Sequence, residues 1–293
     1  LAMEGGFEPY ARDDGIWPPG FKVTGNAYCD WLRAQGYESD NPWHDFANSG
    51  RGPDGEILSG WQMRWADRPA HIAGAHSETP YTTERAIDFM REAGDAPWVL
   101  HLSYIKPHWP YVAPAPYHAM YGPDDMLPVV RSEAERVDAH PGGGGFRAEN
   151  LRRNFSRARG RHTVVPTYMG LVKQVDDELG RLFAFMAEQG LDRDTLVVFT
   201  SDHGDYLGDH WLGEKELFHD PIVKVPLIVV DPRAEADARR GTVSDALVEC
   251  IDLVPTMLDA LGLPQPAEWL EGQSLRPLLH GHAGAGGKDL VVC

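Results

Sequence analysis

Residues 200–215 read TSDHGDYLGDHWLGEK and stand between two short apolar runs, 196–199 and 225–230. A continuous run of Leu, Val, Ile or Phe is typical of a β-strand buried on both faces, and ligands in open α/β sheets gather at the carboxyl ends of such strands. Asp202 and His203 follow the first run directly, and Gly204 allows a turn that lets both side chains face one point. Because a carboxylate and an imidazole are good ligands for a divalent cation, the stretch predicts half of a metal site.

Two further residues could act on an anionic ester beside this pair. Lys215 closes the same stretch and provides a cation that can hold an ester oxygen. His108 lies in KPHWPY, residues 106–111, where prolines restrain the backbone after a predicted strand over 98–104. It could protonate a leaving oxygen or bind a non-bridging one. On the residues alone, a structural role for the Asp-His pair and a surface position for His108 remain open.

The periodicity of the chain predicts alternating helices and strands. Apolar residues recur at helical spacing over 24–36, 82–94, 166–190 and 252–261, with Pro166 as the first residue of the longest helix. Strands are predicted over 98–104, 196–202 and 225–230, and most of the first 75 residues as long structured loops. This order of elements indicates an α/β fold.

Composition restricts the partners and the compartment. Lys and Arg total 27 against 44 Asp and Glu, a formal charge of −17, which repels nucleic acid and anionic membrane surfaces. No apolar run approaches the roughly 20 residues of a membrane helix. The three cysteines are few and far apart, which favours a reducing compartment over a disulfide framework. We therefore expect a soluble, cytoplasmic protein with no nucleic-acid or membrane partner.

Four segments together resemble one family. They are KPHWPY at 106–111, TYMGLVKQVDDELGRL at 167–182, the stretch at 200–215 followed by VPLIVVDP at 225–232, and DALVECIDLVPTMLDALGLP at 245–264 followed by EGQSLRPLL at 271–279. In order and spacing they resemble the sulfatase branch of the alkaline phosphatase superfamily, and particularly its phosphonate monoester hydrolase-like members. The resemblance extends over residues 70–280.

The resemblance implies an α/β fold with a large mixed sheet between helices. It implies that Asp202 and His203 bind one divalent metal ion (Mn, Ca, Zn or Mg), and that His108 and Lys215 contact the sulfuryl or phosphoryl group of a small sulfate or phosphonate ester. The family nucleophile is a formylglycine made from Cys in a Cys-x-Pro/Ala-x-Arg motif. Neither Cys29 nor Cys250 stands in such a motif, so the formylglycine is expected upstream.

The sequence accordingly predicts that residues 1–280 are the C-terminal portion of a single sulfatase-type catalytic domain, incomplete at its N-terminus. Residues 281–293 are predicted to be a flexible or truncated tail. The expected activity is that of an arylsulfatase or phosphonate monoester hydrolase. The alternatives are a phosphodiesterase or phosphotransferase of the same superfamily and a non-catalytic sulfatase-like binding protein. The oligomeric state is left open, a homo-oligomer included.

Overall fold

The structure is a computed structural model that describes residues 7–13, 15–137, 154–266, 268–282 and 288–291. It contains two compact units. The first comprises Leu1–Phe185 and Tyr206–Glu214, and the second comprises Met186–Asp205 and Lys215–Cys293. Of the predicted tail, residues 283–287, 292 and Cys293 lie outside the described residues.

The described elements are short except for two helices. The α-helices are α1 Ala27–Ala34, α2 Glu78–Ala93, α3 Ala134–Val137, α4 Ala158–Gln189, α5 Asp220–Val223, α6 Leu253–Ala260 and α7 Arg276–Leu279. The strands are β1 Ser49–Arg51, β2 Ile57–Ser59, β3 Val197–Thr200 and β4 Leu227–Val230. A π-helical turn covers Trp43–Ala47, and short 3-10 helices cover Met63–Trp65, Gly74–His76, Tyr117–Ala119, Pro123–Asp125, Leu191–Arg193, Asp209–Trp211, Ala234–Arg239 and Cys250–Asp252.

The predicted helices are present, with different starts for the two long ones. Helix α1 begins after Asn26, whose side chain accepts a hydrogen bond from the Cys29 amide. Helix α2 begins at Glu78, four residues before the predicted Thr82. Helix α4 begins at Ala158 and contains Pro166, so the prediction of Pro166 as its first residue is wrong. About two extra turns form because Val164 is fully buried and anchors the residues before the proline in a core.

The strands differ more from the prediction. Strands β3 and β4 pair antiparallel, with Val197 opposite Val230 and Thr200 opposite Leu227. All of β3 is half-buried, and β4 alternates between half-buried and exposed residues. The expectation that both are buried on two faces is therefore not met by the described residues. An apolar run specifies a strand, but the elements that cover its faces come from tertiary packing.

The predicted strand over 98–104 is wrong. These residues alternate between half-buried and exposed positions. No backbone hydrogen bond joins residues 97–104 to another segment within the described parts of the chain. A β-prone sequence becomes a strand only when a partner supplies the hydrogen-bonding ladder.

Two cores position the loops of the first unit. One contains Tyr28, Cys29, Leu32, Trp43 and Val112 among its fully or nearly fully buried members. The other joins the loop after Lys106 to the start of α4 through its buried residues, Met63, Ala66, Trp109, Tyr111, Phe155 and Val164. In the described residues, no helix has the length and apolar character needed to cross a membrane.

Candidate functional site

Asp202 and His203 lie just beyond the carboxyl end of β3, as predicted. The Asp202 carboxylate is 87% exposed, whereas the His203 ring is 26% exposed. Asp202 Oδ1 accepts a hydrogen bond from the His203 amide at 3.0 Å. Asp202 Oδ2 lies 3.8 Å from His203 Nε2. The two side chains therefore present an oxygen and a nitrogen close together, next to solvent.

The hydrogen bonds of His203 fix its tautomer. Its Nδ1 donates to the carbonyl of Gly204 at 2.7 Å, which leaves the lone pair on Nε2. Lys215 Nζ donates to that nitrogen at 3.0 Å. The second unit thus brings Asp202, His203 and Lys215 to one place, although the lysine is twelve residues from the histidine in sequence.

Gly204 is needed for close packing rather than for the predicted turn. Its backbone does not occupy the left-handed region. A Cβ at this position would lie 1.8 Å from the carbonyl oxygen of Pro221 in α5. The Gly204 amide donates to the Ile222 carbonyl at 2.9 Å. The residue after His203 is thereby held against helix α5.

The middle of the same stretch folds as a loop of the first unit. Its ends are joined because the Tyr206 amide donates to the Glu214 carbonyl at 2.9 Å. Asp209 Oδ1 accepts from the Val130 amide at 2.7 Å, so this carboxylate holds the loop in place. Gly213 packs on Phe155, whose ring would lie 1.9 Å from an added Cβ.

His108 lies in a tight turn of the first unit. Its amide donates to the Ile105 carbonyl at 2.9 Å, and its Nδ1 donates to the Trp109 carbonyl at 2.7 Å. Because Nδ1 is the donor, Nε2 is the nitrogen that would exchange a proton with a ligand. The Trp109 ring packs edge-on against Trp61, with centroids 4.4 Å apart. His108 is therefore attached to a rigid aromatic core.

Behind this turn lies a buried polar network that the sequence analysis missed. Lys106, 6% exposed, donates from Nζ to the Pro110 carbonyl at 2.8 Å and to Asn48 Oδ1 at 2.5 Å. Its Nζ lies 3.8 Å from Glu78 Oε2, an ion pair rather than a hydrogen bond. Glu78 also accepts from Asn48 and from the Trp43 indole. The lysine closes the turn around His108. In the sequence, the one signal of this role is that Lys106 stands between the apolar residues Ile105 and Pro107.

Burial changes the ionisation of several groups near the network. Desolvation lowers the pKa of Lys106, an effect that nearby Glu78 opposes. Desolvation, reinforced by the negative charge of Glu78, raises the pKa of Asp13 to about 7. Desolvation also raises the pKa of Cys29 to about 12, so this thiol stays protonated at neutral pH. Cys29 is thus a buried, inert side chain, whereas Cys250 is exposed.

The profile of one family, described as Sulfatase, matches residues 24–263. The chain belongs to the sulfatase family. Among the relatives of this sulfatase-family chain, the multifunctional alkaline phosphatase superfamily protein PehA of Trinickia caryophylli is 34% identical over 272 residues, covering 88% of the chain and 51% of the relative. An arylsulfatase of Clostridium perfringens is 28% identical over 217 residues, covering 73% of the chain and 44% of the relative.

Solved structures confirm the fold of this sulfatase-family chain. The phosphonate monoester hydrolase of Silicibacter pomeroyi superposes with a TM-score of 0.77 at 31% identity, covering 90% of this chain and 51% of that one. The phosphonate monoester hydrolase of Agrobacterium radiobacter superposes with a TM-score of 0.75 at 26% identity, covering 89% of this chain and 52% of that one. The predicted sulfatase-type α/β fold is therefore confirmed, and the chain spans about half the length of the relatives it matches.

The sulfatase-family resemblance implies a metal ion, and the two predicted ligands fit one. Ligands at about 2.0–2.2 Å from a shared ion lie roughly 3–4 Å apart, which includes the 3.8 Å between Asp202 and His203. A metal-binding histidine usually donates its other ring nitrogen to a carbonyl, as His203 does to Gly204. Among the described residues, no group of three or more His, Cys, Asp or Glu forms a complete shell.

The residues that follow Cys29 and Cys250 do not match the motif from which the family forms its formylglycine. Cys29 is followed by Asp30-Trp31-Leu32-Arg33, and Cys250 by Ile251-Asp252-Leu253-Val254. Neither sequence contains the Pro or Ala of the family motif. Cys29 and Cys250 therefore do not fit the motif of the family nucleophile.

Proposed function

We propose that this chain is part of a metal-dependent hydrolase of sulfate esters or of phosphonate and phosphate esters. Asp202 and His203 hold one divalent ion, and Lys215 and His108 contact the sulfuryl or phosphoryl group. The observation that carries the proposal is the convergence of the Asp202 carboxylate, the His203 imidazole and the Lys215 ammonium at the end of β3. The family and the names of the relatives support ester hydrolysis.

The metal preference follows from the two ligands. When bound, a divalent ion supplies Lewis-acid polarisation of an ester oxygen. An imidazole ligand favours a transition metal such as Mn²⁺ or Zn²⁺, whereas a mostly oxygen site accepts Ca²⁺ or Mg²⁺. His203 Nε2 and Asp202 would hold the ion, and Lys215, which donates to that nitrogen in this structure, would contact an anionic oxygen of the ester.

The two proposed catalytic side chains have separate tasks. Lys215 stabilises negative charge that develops on the oxygens of the transferred group. His108, with Nδ1 held by the Trp109 carbonyl, delivers the Nε2 proton of its imidazolium form to the leaving oxygen and becomes a neutral imidazole. The rigid turn around His108 fixes the direction of that proton.

The metal site is tested by the metal content of the full-length protein, without an activity assay. The purified protein is dialysed against each of Mn²⁺, Zn²⁺, Ca²⁺ and Mg²⁺, and bound metal is measured by inductively coupled plasma mass spectrometry. We expect Asp202→Ala and His203→Ala to lower metal content, and Lys215→Ala to retain it. Asp192→Ala is the matched control, since Asp192 is an exposed aspartate of the same unit. Unchanged metal content in Asp202→Ala would refute the assignment.

The substrate class is tested on the full-length enzyme, which includes the nucleophile, with three chromogenic esters: p-nitrophenyl sulfate, p-nitrophenyl phenylphosphonate and bis-p-nitrophenyl phosphate. We expect Lys215→Ala and His108→Ala to retain metal and to reduce turnover, for His108 by about 10²–10⁴-fold. Preference for the phosphate diester would assign a phosphodiesterase instead. Metal binding without hydrolysis of any ester would favour a binding protein.

A further inference from the structure

A second group of chemically capable side chains lies apart from Asp202, His203 and Lys215. Ser59 Oγ is 2.8 Å from His44 Nε2, and His44 Nδ1 is 2.8 Å from Asp45 Oδ1. Since the carboxylate accepts from Nδ1, the lone pair of the neutral ring is on Nε2 and accepts from the Ser59 hydroxyl. This is the order of hydrogen bonds in a Ser-His-Asp nucleophile, which is recognised by geometry rather than by sequence order.

The local fold holds the three groups in place. His44 and Asp45 lie in the π-helical turn Trp43–Ala47, an irregular element often found at functional sites. The Asn41 side chain accepts from the His44 amide at 3.0 Å. Ser59 is the last residue of β2, which pairs with β1 immediately after this turn. The base and the nucleophile are therefore supplied by two ordered elements.

The three residues differ in how far they are buried. The His44 side chain is 5% exposed and that of Asp45 is 23% exposed. Ser59 is half-buried, whereas the imidazole of His44 beside it is shielded from solvent. The Trp61 amide donates to Ser59 Oγ at 3.3 Å, which stabilises charge that develops as the hydroxyl proton leaves.

The group also lies beside the turn that carries His108. A Cβ on Gly60, the next residue, would be 2.6 Å from Val112 Cγ2 and 3.1 Å from Pro110 Cβ. The Gly60 amide donates to the Asn48 carbonyl at 3.1 Å. Both amides after Ser59 are thus already in use, and neither can act as an oxyanion-hole donor. This limits the expected chemistry to formation of an adduct without rapid turnover.

We propose that Ser59 is an activated nucleophile and a covalent modification site for small phosphonyl or acyl electrophiles, with His44 as general base and Asp45 as the group that orients it. With a fluorophosphonate, the Ser59 Oγ–P bond forms as the P–F bond breaks. The hydroxyl proton passes to His44 Nε2 and fluoride leaves. The proposal uses none of the metal ligands and is independent of the proposed hydrolase function.

The test is labelling of the whole chain with an alkyl fluorophosphonate, followed by intact mass and peptide mass spectrometry. We expect one adduct per chain, at Ser59, and none in Ser59→Ala. His44→Gln should slow labelling by about 100-fold or more, because general-base assistance is lost. Asp45→Asn should also slow it. Ser103→Ala is the matched control, since Ser103 is an exposed serine of the same unit, and it should label like the wild type.

Further controls separate the outcomes. Thermal melting and circular dichroism show whether each variant folds. Wild-type chain that is unfolded in urea before the probe is added should form no adduct, because labelling requires the folded arrangement of Ser59, His44 and Asp45. A chelator should leave labelling unchanged, which separates this site from the proposed metal centre. A known serine hydrolase is labelled in parallel as the positive control. If it labels fully and this chain forms no adduct, the proposal is wrong, and the Ser59–His44–Asp45 hydrogen bonds have a structural role only. Equal labelling of several exposed serines would also overturn it.

Discussion

Lys106 determines how the turn around His108 is held. Its ammonium is buried among the Pro110 carbonyl, Asn48 and Glu78. A charge in such a place is tolerated only when it is paired and hydrogen-bonded. The proposed catalytic residue His108 therefore depends on a neighbour that contacts no substrate in the proposed mechanism.

Replacement of this lysine should destabilise the protein. We expect Lys106→Met to lower the free energy of unfolding by about 3–5 kcal/mol, because it leaves the buried Glu78 carboxylate without its cation. Urea denaturation measures the change. Lys224→Met, at a lysine whose side chain is 77% exposed, is the control and should stay close to wild type.

A double variant separates charge from packing. Lys106→Met with Glu78→Gln removes both charges and should recover much of the lost stability. No recovery would mean that Lys106 acts through its hydrogen bonds to Pro110 and Asn48 instead of its charge.

Among the helices and strands, Gly204 couples the loop after β3 to helix α5. A methyl group on Gly204 would collide with the Pro221 carbonyl, whereas a Cβ on Gly180 in α4 would meet nothing within 4 Å. The two glycines therefore differ in packing and not merely in flexibility.

Alanine substitutions at these glycines should act in opposite directions. Gly204→Ala should destabilise by about 1–3 kcal/mol, because the chain must shift away from α5. Gly180→Ala should stabilise by about 0.5–1 kcal/mol, since alanine favours an open helix position. Thermal and urea denaturation check both values. A neutral Gly204→Ala would contradict the close approach.

The helices and strands show which structural features local sequence specifies and which depend on distant residues. Helices α1 and α6 match their predictions closely because apolar spacing and capping act within a few residues. The hairpin β1–β2 was missed, although Asp54-Gly55 is a common hairpin signal and Gly55 has φ +81°. The error at 98–104 has the opposite cause, since β-prone residues there lack a ladder partner within the described chain.

For the molecule as a whole, Asp13 connects pH to stability. Asp13 accepts from the Gly15 amide and from Asn26, both at 3.1 Å, and lies near the negative charge of Glu78. Lys106 supplies the opposing positive charge. Because the folded pKa of Asp13 is raised from 3.8 to about 7, its contribution is present in full below pH 3.8 and is lost as pH rises through 7.

Asp13→Asn should remove this dependence. The stability of the wild type relative to the variant should fall between about pH 4 and pH 8, as the buried carboxyl ionises only at a cost. Urea denaturation at several pH values gives the difference. Asp124→Asn, at an exposed aspartate, is the control and should show no such trend. A constant difference between wild type and Asp13→Asn would contradict the raised pKa.

Sequence patterns alone were sufficient to predict the family, most helices and the strand before Asp202, and to select Asp202, His203, Lys215 and His108 as candidate site residues. These follow from short-range spacing and from residue chemistry, which the chain carries in order. Tertiary structure decided the contact of Lys215 with His203, the Lys106 network and the Ser59–His44–Asp45 group. Lys106 and Asn48 are 58 residues apart, and such contacts arise because packing brings distant residues together and burial then requires each polar group to find a partner.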